Sequence, residues 1–299
     1  MSKIITISNG VLEVSVSTFG AEIVSVKKGG KEQIWQGAEG VWSGHAPILF
    51  PFCGRLVNTQ YKIGGKVVEN VPIHGYAKRY EFTVVSEEKT SLSLLLQSSE
   101  EIRKIYPFNV DFRVFFKLDG ESLKVYYMVE NVGDKTAYFS VGCHEAFALD
   151  GNFSDYSIEF DSDKDFIVST GLKSNMLSNI KYKLPLNNGV LQLSHSLFSD
   201  DEIEREGGVY ATGSILLENV NSKRVNLLKN GKKVLSLYYN DFENLVLWTE
   251  KCAPFIAIEP WNGLPDLFDT DGNLETKKGI LTVEKGEQKT YYHSITFEN

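Results

Sequence analysis

The chain has 299 residues, 42% of them hydrophobic and 23% charged, and carries a formal net charge of −8. Such a composition suits a globular protein with a sizeable core, and an acidic balance without a dominant lysine or arginine block argues against nucleic acid or an anionic membrane as partner. The first residues, Met1-Ser2-Lys3-Ile4-Ile5-Thr6, lack the apolar core of a signal peptide, and no later run is long and apolar enough to span a bilayer.

The periodicity along the chain is that of strands. Leu12, Val14 and Val16 alternate with Glu13, Ser15 and Ser17, giving one dry and one wet face. Strands are expected at 82–85 and 92–97. The best helical signal follows at Ser98-Ser99-Glu100-Glu101-Ile102-Arg103, where Ser98 and Glu101 have capping-box spacing and Pro107 ends the run. Phe112, Val114, Phe116 and Leu118 alternate against Arg113 and Lys117, and Leu123, Val125, Tyr127 and Val129 alternate again after Asp119-Gly120-Glu121. The Asp-Gly step predicts a hairpin, because such a turn needs positive φ. Further strands are expected at 156–160, 214–218, 234–239, 245–248, 280–283 and 290–297. The least apolar stretch, 161–206, reads as long surface loops between strands. No linker divides the chain, so residues 1–299 are expected to form one domain. This succession without regular helices predicts an all-β fold, a large antiparallel sandwich. Cys53, Cys143 and Cys252 include no Cys-x-x-Cys pair. They suit free thiols in a reducing compartment, and a cytoplasmic location is expected.

Glu259 closes the apolar run Phe255-Ile256-Ala257-Ile258 and precedes Pro260-Trp261-Asn262-Gly263-Leu264-Pro265-Asp266. The run reads as a buried strand with Glu259 at its rim and a rigid loop beyond it. A carboxylate there is costly to bury without a partner or a task. An acid beside an apolar face suits a sugar ring, with Trp261 as the stacking aromatic. A strand-end glutamate held by an amide or an arginine is the structural alternative. His144, in Gly142-Cys143-His144-Glu145-Ala146-Phe147, could exchange protons near neutrality or be a satisfied core histidine. Adjacent strand residues point to opposite faces, which argues against a Cys143–His144 nucleophile dyad. His74, in Pro72-Ile73-His74-Gly75-Tyr76, lies on a positioned backbone, and Arg55 follows Pro51-Phe52-Cys53-Gly54. That arginine suits either a fork to ligand oxygens or a structural ion pair. Trp35, Trp42 and Trp248, and His45, His195 and His293, lie in no comparable context.

The order of Gly54-Arg55, Ile73-His74-Gly75-Tyr76, Tyr106-Pro107-Phe108, Gly142-Cys143-His144-Glu145-Ala146-Phe147 and Ile258-Glu259-Pro260-Trp261 resembles the aldose 1-epimerase (galactose mutarotase) superfamily. Within it the chain is most similar to the lactose-operon X-type, mutarotase-related branch. The resemblance implies a β-supersandwich with the sugar lying across a concave sheet face. It casts His144 as general acid toward the ring oxygen and Glu259 as general base on the C1 hydroxyl, with Arg55 and His74 as ligands of sugar oxygens. The segment at His144 departs from the family's Asn-His-x-x-Phe-Asn. The family's sugar-contacting aspartate has no firm match, and Asp201, after Leu197-Phe198, is the candidate.

The implied activity is interconversion of α and β anomers of an aldohexose, by an acid and a base that each supply about 10²–10⁴-fold. It requires no cofactor and no metal. Two variants remain open: a hexose 6-phosphate substrate, for which Lys78-Arg79 is the obvious basic pair, and a non-catalytic carbohydrate-binding sensor. Two other enzyme classes can be drawn from the same residues. Glu145 with Glu259 would be a glycosidase pair, and His74, His144 and Glu259 a His₂Glu metal set, although no His-Glu-x-x-His spacing supports the latter.

Overall fold

The computed structural model describes residues 2–162, 164–171, 176–198, 203–205, 209–211 and 213–298. Two large antiparallel sheets dominate it. The nine-stranded sheet runs, in spatial order, Val190–Gln192, Tyr156–Phe160, Arg224–Lys229, Lys232–Tyr238, Gln288–Phe297, Ser122–Asn131, Val110–Asp119, Ser91–Gln97 and Thr83–Glu88. The eight-stranded sheet contains Leu177–Leu184, Phe166–Gly171, Ile215–Leu217, Asn244–Trp248, Phe255–Asn262, Val141–Cys143 and Ile48–Leu49 along one path, with Ala146–Ala148 also on Phe255–Asn262. A four-stranded sheet is built from Ile4–Ser8, Leu12–Ser17, Ile23–Lys28 and Lys31–Glu32. This is the large antiparallel sandwich that the alternation implies, and the supersandwich that the resemblance implies.

Period-2 patterning decides which side chains meet between the sheets. Phe112, Val114 and Phe116 on one sheet and Leu245, Leu247, Ile256 and Ile258 on the other belong to the same buried core. Each buried side chain of this kind contributes about 1.5–3 kcal/mol of transfer free energy. The hairpin is tight: Asp119 pairs with Ser122, and Gly120 takes φ +57 at the first turn position.

Three details differ from the sequence expectation. The strand expected to end at the rim of Glu259 continues to Asn262, with Glu259 opposite Val246 and Pro260 opposite Leu245. The one α-helix among the described residues, Glu100–Ile105, is capped by Ser99, whose Oγ accepts from Ile102 N–H at 3.1 Å. Ser98 is instead taken by the carbonyls of Phe108 and Val110, so the N-cap shifts by one residue and, with Ile102 at N3, no capping box forms. Finally, residues 161–206 are not only loops. They include Phe166–Gly171 and Leu177–Leu184, and the latter exposes Asn179, Ile180 and Lys181. A strand at the margin of a sheet needs little apolar sequence, which hid it from periodicity.

Backbone fit is tightest where residues 72–76 lie against Phe50. Gly75 has φ +72, and a Cβ there would stand 2.2 Å from the Phe50 carbonyl oxygen. Gly75→Ala is expected to cost about 2–3 kcal/mol, read as a lower urea midpoint with an unchanged m-value. A loss below about 0.5 kcal/mol would contradict this packing.

Candidate active site

The central strand Phe255–Asn262 is buried along its whole length. Its even residues Ile256 and Ile258 enter the intersheet core, so Ala257, Glu259 and Trp261 face the other side. There a cavity of about 710 Å³ opens, lined among others by His74, Lys78, His144, Glu259 and Trp261. The neighbouring chain is broken opposite this strand: Val141 and Gly142 pair with Asn262 and Trp261, and Ala146–Ala148 with Ala257–Phe255. His144 and Glu145 occupy the gap, in register with Glu259 and Ile258, while Cys143 falls opposite Pro260, which has no N–H to offer a ladder. They part to opposite faces, His144 to the cavity and Glu145 to the core. Gly142 is required at this crossing, since a Cβ would lie 2.8 Å from the Trp261 ring.

His144 Nε2 stands 3.5 Å from Glu259 Oε2, with the carboxyl side chain 1% exposed. That separation is too long for a good hydrogen bond, and Glu259 Oε2 and His144 Nδ1 have no hydrogen-bond partner. Trp42 stacks on the His144 ring at 5.0 Å, and Trp248 meets it edge-on at 5.3 Å. Sequence reasoning missed both tryptophans. Trp248 was accessible from alternation, two residues beyond the Val246 that pairs with Glu259; Trp42 comes from a loop without periodicity.

His74 adopts φ +64 and is pinned by Gly54 in both directions: its N–H donates to the Gly54 carbonyl at 2.9 Å, and Gly54 N–H donates to its Nδ1 at 3.1 Å. An accepting Nδ1 leaves the proton on Nε2. Trp261 lines the cavity and donates its indole N–H to the Cys143 carbonyl at 3.3 Å. Arg55 is half-buried, its Nε without a partner, and is not among the cavity-lining residues. Asp201 lies outside the described residues. Lys78 and Arg79 sit on a 3-10 turn, Ala77–Arg79, and not on a strand; Lys78 reaches the cavity and Arg79 does not. Glu22 also lines the cavity and accepts the backbone N–H groups of His45 and Ala46.

Burial governs the charges. It pushes His144 down to about 4. It pushes the Glu259 carboxyl well up, and repulsion from Glu145 adds to this. Burial, aided by His144, Lys78 and Arg55, lowers His74 well below the ordinary histidine value and keeps it a neutral donor. The facing pair therefore holds one titratable proton between two groups above the lowered His144 value. The rival residue sets fare differently. Glu145 is buried against His293 at 3.0 Å and lines no part of the cavity, so it cannot flank a glycosidic bond with Glu259. Among the described residues, His74, His144 and Glu259 do not gather as a three-ligand group, although His144 and Glu259 approach to 3.5 Å.

The aldose 1-epimerase family matches residues 3–282, and the chain belongs to that family. It is similar to the chromosomal protein LacX of Lactococcus lactis subsp. lactis, at 31% identity over 99% of both chains. Among solved structures it resembles a galactose mutarotase related enzyme from Lactobacillus acidophilus, with TM-score 0.90, 30% identity and coverage of 99% of this chain and 98% of that one. A galactose mutarotase-like protein from Lactobacillus casei ATCC 334 superposes equally well, with TM-score 0.90, 27% identity and coverage of 99% and 100%. No helix among the described residues is long and apolar enough to cross a membrane.

The His144 environment has a consequence for stability. Unfolded, the imidazole takes up its proton near about 6.5; folded, it does so at about 4. The unfolded state thus binds more protons between those values, and stability present above the upper one is lost as pH falls through the window. Replacing His144 with Gln should flatten this part of the stability–pH curve, measured by urea unfolding at successive pH values. An unchanged slope would contradict the burial assigned to this ring.

Proposed function

We propose that the protein is an aldose 1-epimerase acting on a free aldohexose, with His144 and Glu259 as its acid–base pair. The observation that carries this reading is their approach to 3.5 Å across the cavity wall, where burial drives both toward neutrality. Mutarotation needs one proton taken from the C1 hydroxyl as the C1–ring-oxygen bond breaks, and one given to the ring oxygen. Both oxygens sit on the same carbon, so two groups this close can serve both. One partner gives its proton to the ring oxygen while the other accepts that of O1, leaving the pair with one proton throughout. Rotation about C1–C2 and reversal of the same transfers close the ring on the other face. Burial leaves the resting proton of the pair on the Glu259 carboxyl, so Glu259 acts as base and His144 as acid from the tautomer in which that proton has passed to His144; microscopic reversibility exchanges the roles on closure.

His74 Nε2–H would donate to a sugar oxygen, and Trp261 would support an apolar ring face. Arg55 would act by holding His74 neutral. Lys78 is the only cationic side chain among the described residues lining the cavity, and Glu22 shares the same wall. A phosphate calls for several converging donors, so the free sugar is favoured over its 6-phosphate. The mutarotase names borne by the Lactobacillus structures support the same substrate class.

Replacing Glu259 with Gln should slow anomer exchange of galactose and glucose by about 10²–10⁴-fold with the fold intact, read by polarimetry beside circular dichroism. An equal rate in the variant would remove Glu259 from the chemistry. Calorimetric sugar binding without exchange in the wild type would make the protein a sensor. The free hexose should also bind more tightly than its 6-phosphate; a large preference for the phosphate would overturn the substrate choice.

A further inference from the structure

Glu145 and His293 are the most deeply buried ionisable pair beside the cavity, and the reaction described above does not use them. Glu145 is 1% and His293 0% exposed, with Glu145 Oε1 3.0 Å from His293 Nε2. They come from different sheets. His293 lies on Gln288–Phe297, opposite Val125, with Tyr127 stacked on its ring at 5.7 Å. Glu145 lies in the break that carries His144, and its carbonyl accepts from Ile258 N–H, one residue before Glu259. Removing two polar groups from water costs several kcal/mol even when they pair. Packing alone does not explain such a pair, because an apolar residue would fill the same place at no such cost.

We propose that Glu145, clamped by His293, is a positioning residue of the active site: a fixed negative charge behind Glu259 and His144 that sets how tightly they hold their shared proton. Burial would raise the Glu145 carboxyl, but attraction to His293 and the hydrogen bond between them leave it below its ordinary value, so it stays ionised. His293, by the same attraction, offsets part of the Glu145 field, and the remaining titratable groups around it add no charge. Burial pushes the thiols of Cys143 and Cys53 and the phenol of Tyr127 well up, and all three remain neutral. Its charge favours the proton on both Glu259 and His144. A base made stronger in this way accepts the weakly acidic proton of the C1 hydroxyl more readily.

Cys143, Glu145 and His293 stand close enough together to suggest a metal-ligand set. The geometry favours the ion pair instead. Cys143 Sγ lies 3.9 and 4.0 Å from the two ring nitrogens, in line with neither lone pair, and His293 Nε2 is already engaged by Glu145.

The catalytic consequence rests on the mutarotase reading, whereas the electrostatic one can be read directly. The protein would be labelled with ¹³C at its glutamate carboxyls, and the Glu259 resonance identified by its loss in Glu259→Gln. Titration in Glu145→Gln should place the Glu259 midpoint lower by about one pH unit than in wild type, and both limbs of the mutarotation pH profile should move the same way. If the single variant does not fold, Glu145→Gln/His293→Gln, which leaves an uncharged amide pair in the same space, should move the midpoint the same way by a smaller amount, because both partners of the pair are replaced. An unmoved Glu259 midpoint in a folded variant overturns the proposal. A moved midpoint in a protein that exchanges no anomers supports the electrostatic role and rejects the mutarotase reading.

Discussion

A carboxyl group buried in a central strand is the constraint on which the rest of the structure turns. Phe255–Asn262 is covered on both faces, yet Glu259 stands in its middle, 1% exposed. In so dry a place an isolated carboxylate would cost far more than any single contact returns. The fold answers by holding the proton on the pair, by placing His144 within reach, and by opening a cavity on that face alone. Pro260 and the break at His144–Glu145 serve the same end. In that break His144 and Glu145 point to opposite faces, as successive strand residues do, one to the cavity and one to the core.

The scaffold around the pair is arranged to keep it still. Trp42 and Trp248 enclose the imidazole, the Gly54 backbone fixes both the position and the tautomer of His74, and the Trp261 indole is tied to the Cys143 carbonyl. Each anchor is a backbone group or a packed ring, so little reorganisation is left for the reaction itself. In the proposed chemistry, preorganised groups in a water-poor wall contribute more than the same groups in solvent would. Among the described residues the wall bears one lysine and no arginine, in keeping with the free sugar proposed.

Much of this was legible in the sequence, and the failures are instructive. Alternation in Val110–Asp119 and Ser122–Asn131 pointed to the sandwich because those strands are dry on one face only. Glu259 stood out because a charge beside an apolar run demands an explanation. Its true position in mid-strand was hidden by Pro260, which sequence rules treat as a strand breaker. Lys78, Glu22 and Trp42 reach the cavity from turns and loops, where no periodicity marks a face. Glu145 was visible only as a second carboxylate. Its separation from the cavity depends on His293, a residue far along the chain with no local motif.

In the proposed reaction a single proton, shared by two buried groups, does the chemistry. The sharpest check is the pH dependence of anomer exchange by the wild-type protein. A broad plateau through neutrality is expected, with an acid limb near the lowered His144 value of about 4 and an alkaline limb well above the ordinary carboxylate range. A rate that falls through about 6.5 as an unperturbed imidazolium loses its proton would contradict it.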